Sequence, residues 1–204
     1  MSIGFVSVLL FSHTANAESN LEYHEVASTV MMNSLQTQPP NSFLKKLYTQ
    51  LFFVPVWMSE DALSPAAKSL FKHIKNDGTL NKNGKLYQDV LRLEGKIQDV
   101  YTYHGKLIEK VDLEFKISQL YKAYTDYAYL GSINWGAFQA RISNLIVNGV
   151  STEWILHRPQ ADAIAMVEKA ALGEDLGNEL QEATAFSYQY FAFSYACGSM
   201  LPEA

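Results

Sequence analysis

Apolar residues recur along this chain mostly at steps of three and four, the spacing that places side chains on one face of a helix. In "DLEFKISQLYKAYTDYAYLGSINWGAF" (Asp112 to Phe138), Leu113, Ile117, Leu120, Tyr124 and Tyr127 or Ala128 form such a stripe, and Gly131 supplies a stop. "DALSPAAKSLFKHIKNDG" is the clearest local signal. Ser64 is a cap, Pro65 takes the first helical position, and Ala67, Leu70, Phe71 and Ile74 share a face before Asp77-Gly78 ends it. "NKNGKLYQDVLRLEGKIQDVYTYHG" repeats the pattern through Leu86, Val90, Leu93, Ile97 and Val100, with Gly105 as a stop. Looser helical spacing joins Leu21, Val26, Val30 and Leu35, and Pro39-Pro40 ends that run.

Shorter elements fill the rest. "NSFLKKLYTQ" predicts a short helix capped by Asn41 or Ser42, "INWGAFQARISNLIVNG" one ending at Asn148-Gly149, and "VSTEWILHRPQADAIAMVEKAALG" one from near Pro159 to Gly173. "LFFVPVW" is apolar and β-branched, but Pro55 within it predicts an extended, packed connector instead of a central strand. With no convincing alternating strand and no internal repeat, the expected fold is all-α, an irregular bundle of about six or seven helices.

Composition adds the class. At 204 residues, 48% apolar and 18% charged, the chain suits one buried domain. A formal charge of -5 without a basic run argues against nucleic acid, and no apolar stretch has the length of a membrane span. The amino terminus runs apolar from Ile3 to Phe11 into Ala15-Asn16-Ala17, which predicts a signal peptide over 1–17 and export to the periplasm, although no Lys or Arg precedes the run. Residues 18–182 then form the helical domain. Residues 183–204 form an atypical tail, uncharged through Pro202 and dense in aromatics, expected to mark a truncation or frame shift.

Chemistry is sparse. Cys197 has no His within 35 residues and reads as an incidental thiol. His24, His73, His104 and His157 are scattered, and Glu22 and Glu25 beside His24 do not complete a metal site, so no metal, cofactor or catalytic residue is assigned. Asp112 and Glu114 are placed in the first turn of their helix, where the helix dipole accounts for them. Tyr121, Tyr124 and Tyr127, three apart, are expected to pack in the core with their hydroxyls at its edge, not to line a ligand wall.

Three segments resemble the amino-terminal scaffold domain of the large murein L,D-transpeptidases, enzymes that cross-link peptidoglycan stems. They are "YTQLFFVPVW" (Tyr48 to Trp57), "LSPAAKSLFKHIKNDGTLNKNGKLY", and the stretch holding Glu114, Ile117, Leu120, Tyr124 and Gly131. "NWGAF" and "EWILHRP", with Trp135 and Trp154, are similar to one form of that domain, and the likeness covers roughly 40 to 182. It implies a supporting role, since the family's catalytic motif S-H-G-C-x-R does not occur: Tyr195-Ala196 precede Cys197, and no Arg follows. The alternative is a stand-alone periplasmic module that holds a glycan strand, peptidoglycan or a partner cell-wall enzyme, through Trp57, Trp135 and Trp154.

Overall fold

A computed structural model of the chain describes residues 22–130, 135–149, 162–172 and 176–181. Eight helical segments account for most of them: α1 (22–35), α2 (Phe43–Gln50), α3 (Pro65–Asn76), α4 (Lys85–Thr102), α5 (Leu107–Leu130), α6 (Trp135–Val147), α7 (Ala163–Ala171) and α8 (176–181). Among the described residues the only strand-like pairing is an isolated bridge between Met58 and Leu63, so the fold is all-α. The signal-peptide region 1–17, Gly131, Trp154, His157, Pro159, Gly173 and the tail with Cys197 lie outside the described residues.

Capping explains where the helices start. The Ser42 hydroxyl accepts the Lys45 amide at 3.3 Å, and the Ser64 hydroxyl accepts the Ala67 amide at 3.1 Å with Pro65 in the first turn. The helix expected from near Pro159 begins at Ala163 instead. Asp162 is its cap, its carboxylate accepting the Ile164 and Ala165 amides. The buried face of α1 also differs from the loose apolar spacing: Ala27, Met31 and Leu35 are buried, while Val26 is exposed. Alanine is small enough to let the helix approach its neighbours, and a strict i, i+4, i+8 line decided the face.

The α2 and α4 carboxyl ends share a device. Phe52 (φ 52°) and His104 (φ 50°) adopt the left-handed conformation, and the next amide returns to the helix: Phe53 to the Tyr48 carbonyl and Gly105 to the Val100 carbonyl, both at 2.7 Å. Gly105, expected as the stop, serves differently. A Cβ there would stand 2.9 Å from the Val100 side chain, so it is the close approach that requires glycine.

Helices α4 and α5 form an antiparallel hairpin, and α5 also packs on α2 and α3. This central position makes α5 a two-stripe helix. Leu113, Ile117, Leu120, Tyr124 and Ala128 are buried as the apolar spacing predicts, with Tyr127 half-buried. A second stripe, Val111, Glu114, Ser118, Tyr121 and Thr125, is buried as well. The extended connector 51–64 is held between this second stripe and α4, with Val56, Trp57 and Met58 in the core.

Candidate functional site

The second stripe of α5 carries the most unusual chemistry of the described residues. Glu114 is 1% exposed, and its carboxylate faces the connector. Oε1 accepts the Val56 amide at 2.7 Å and the Tyr48 hydroxyl at 2.8 Å, and Oε2 accepts the Met58 amide at 2.8 Å. The Trp57 amide lies between the two oxygens, 3.2 Å from Oε1 and 3.0 Å from Oε2. Away from a helix N-terminus, consecutive amides converge on one carboxylate where the backbone leaves regular strand geometry. Pro55 ensures this, since it fixes its own φ and restricts Val54 before it.

One turn further along α5, Ser118 extends the network. Its hydroxyl accepts the Trp57 indole N–H at 2.7 Å and lies 2.6 Å from the Tyr48 oxygen. The proton order follows by elimination. Indole only donates, so Ser118 accepts from Trp57; with Glu114 ionised, Tyr48 donates to it, so Ser118 donates to Tyr48. The chain Trp57, Ser118, Tyr48, Glu114 thus points every hydrogen toward the carboxylate. Around it, the Trp57 and Tyr121 rings lie 5.6 Å apart, and Tyr48 meets Phe115 edge-on at 5.4 Å.

Electrostatics oppose the hydrogen bonds. Burial pushes the Glu114 carboxyl up to about 7 even though the amides and Tyr48 favour its charged form. Burial, reinforced by that carboxylate, holds the Tyr48 hydroxyl well above the ordinary phenol range. Burial likewise raises Tyr101 to about 12, and its hydroxyl donates to the Ala62 carbonyl at 2.7 Å with the Ser59 carbonyl at 3.0 Å. Lys110 donates to the Glu60 carbonyl and stands 5.4 Å above the Tyr101 ring. The connector is therefore tied down from α4 and α5 along most of its length.

A second polar cluster sits at the end of α3. Asp77, 8% exposed, accepts the Thr79 amide and hydroxyl on Oδ1 and the Tyr124 hydroxyl on Oδ2 at 2.8 Å. Tyr127 donates to the Thr79 carbonyl at 2.8 Å, and Tyr121 donates to the Ala163 carbonyl of α7 at 2.9 Å. His73 packs edge-on against Tyr124 at 5.8 Å and bonds the Leu180 backbone; burial lowers its pKa, with Asp77 acting the other way. Tyr121 thus fastens the start of α7, while Tyr124 and Tyr127 both fasten the Asp77–Thr79 turn after α3.

The two acids read together from the sequence separate here. The helix begins at Leu107, a turn and more before them, so neither Asp112 nor Glu114 is a first-turn residue. Asp112 is exposed and pairs with Lys116, while Glu114 points inward. Trp57, a candidate for stacking on sugars, is fully buried and cannot meet a ligand. Trp135 starts α6. His24 lies on α1 against the Tyr23 ring, His104 ends α4, and His73 lies at the end of α3. Among the described residues no group of three or more His, Cys, Asp or Glu side chains could hold a metal ion, and no helix is long and apolar enough to cross a membrane.

Chemically, the Glu114 network is closed. Its oxygens are occupied by donors from the chain, and Tyr48, Trp57 and Ser118 are no more exposed than the carboxylate. It holds backbone in place and offers nothing to a substrate. The sequence matches the family described as Scaffold domain over residues 42–194, three quarters of the chain. The chain belongs to the Scaffold domain family. No curated protein and no solved structure matches it. The scaffold match begins at Ser42, the α2 cap, and spans every residue of the Glu114 and Asp77 clusters.

Proposed function

We propose that this scaffold domain is the non-catalytic helical support of a periplasmic murein L,D-transpeptidase, serving an enzyme of peptidoglycan cross-linking without performing the chemistry itself. One observation carries the reading: the side chains best suited to acid–base work, Glu114 and Tyr48, are consumed in binding the connector to α5. The segments that resemble the transpeptidase scaffold also meet in that network. Tyr48 and Trp57 come from the first and Glu114 from the third, which supports reading the likeness as a shared structural core. Purified protein is then expected neither to exchange D-amino acids onto muropeptides nor to form an adduct with a carbapenem. An adduct on Cys197 would overturn the proposal.

A second reading, a binding module for a glycan strand or a partner cell-wall enzyme, draws on Phe52. Its ring is 84% exposed on left-handed backbone, a conformation that costs a non-glycine residue about 1 kcal/mol or more. Retention on isolated sacculi that is lost in Phe52→Ala favours this reading. No retention favours simple support.

A further inference from the structure

Away from the buried network, a groove of about 250 Å³ runs between α4 and α5. Its lining includes Lys85, Arg92 and Lys96 from α4 and Lys116 from α5. Among the described residues four Lys and Arg therefore line one groove, with Asp89 the single acid of its lining and Asp112 paired with Lys116 from just beyond it. In a protein of formal charge -5 this is a local reversal of sign.

We infer that the α4/α5 groove binds a multivalent oxyanion, a linear ligand bearing two or more phosphate or carboxylate groups. The α4 cations fall on one stripe, and from Lys85 to Lys96 the helix rises ~16 Å, too far for a single phosphate to bridge. Asp89 is partly shielded and bonds Lys85 at 3.0 Å and Arg92 at 3.2 Å, which holds two flexible cations in register over the groove. Lys96 has no ion-pair partner among the described residues, while Lys116 lines the groove from the facing helix α5, where Asp112 pairs with it. The charge run has a defined end, because Asp99, Glu109 and Asp112 line the continuation of the same groove beyond Lys96 and Lys116. A ligand of limited length is selected over an indefinite polyanion. Low-dielectric walls from Leu86, Leu93 and Leu120 strengthen the field felt between the helices.

The test is calorimetric titration of the full chain at low salt with inorganic tripolyphosphate and with tetra-glutamate, against orthophosphate and acetate. At least one multivalent probe is expected to bind about tenfold tighter than its monovalent counterpart and to weaken by a similar factor when salt rises tenfold. Whichever of the two binds tighter identifies the oxyanion. The paired variant Arg92→Gln/Lys96→Gln is expected to lose about tenfold in affinity, whereas Lys68→Gln/Lys72→Gln on α3, with the same charge change, is expected to lose less than about twofold. If the first pair does not fold by circular dichroism, Lys96→Gln alone replaces it. Equal weakening by both pairs, or no preference for the multivalent probes, overturns the site.

Discussion

Glu114 shows what a single buried carboxylate does when every acceptor position is taken by the chain itself. Replacing it with Gln keeps the shape but sets an NH2 group, which accepts nothing, against the Trp57 and Met58 amides, where even the protonated carboxyl keeps a lone pair. A buried donor without a partner costs on the order of 1–3 kcal/mol, so Glu114→Gln is expected to lower unfolding free energy by about 3 kcal/mol at pH 5, measured by urea denaturation. The pH dependence has a fixed sign. Burial raises the folded carboxyl from 4.5 to about 7, so between those values the folded state holds the proton more often than the unfolded state. Stability from this group is complete below 4.5 and is lost as pH rises through 7, a fall on the order of 3 kcal/mol. In Glu114→Gln that descent between pH 5 and 7.5 is expected to flatten; a descent of unchanged depth would assign it elsewhere. The sequence carried a trace of this residue. Glu114, Ser118 and Thr125 stand with Val111 and Tyr121 at steps of three and four, beside the apolar stripe. Counting only apolar residues hides such a line, because its polar members are buried through bonds to backbone that no local pattern encodes.

The elements themselves were legible wherever the chain signals locally. Ser64-Pro65 started α3 as read, Pro55 kept the connector out of a sheet, and the tyrosines of α5 went inward. The start of α7 was misplaced although its signal is local, since Pro159 and Asp162 both suit a helix start and the Asp162 carboxylate is the group that caps it. The α4 end is a test case. His104 occupies a left-handed position that glycine enters without steric cost, although Gly105 stands beside it. His104→Gly is expected to raise stability by about 1 kcal/mol, seen as a higher thermal midpoint. Gly105→Ala is expected to lower it, since the added Cβ meets Val100 at 2.9 Å and Glu109 at 3.0 Å. A stabilising Gly105→Ala would mean that the loop relaxes freely. The same reasoning makes Ser64→Ala cost about 1 kcal/mol through loss of its bond to the Ala67 amide.

At the scale of the molecule, α5 is the element through which the others communicate, since it packs on α2, α3 and α4 and its polar side chains fasten the connector, Asp77 and the start of α7. A support built this way should not come apart in pieces. If Glu114 and Tyr124 are parts of one cooperative core, loss of either releases the whole bundle. Helix content by circular dichroism and burial of Trp57 by fluorescence, read in a Trp135→Phe/Trp154→Phe background, are then expected to share one urea midpoint. Glu114→Gln and Tyr124→Phe should move both signals together. Were Trp57 to become exposed at a lower urea concentration than that which melts the helices, the connector would be a separately stable unit clipped onto the bundle. A scaffold domain with such a detachable strap would transmit little strain between its ends. Coincident midpoints instead describe a single rigid body, with Glu114 at the centre of its fastening.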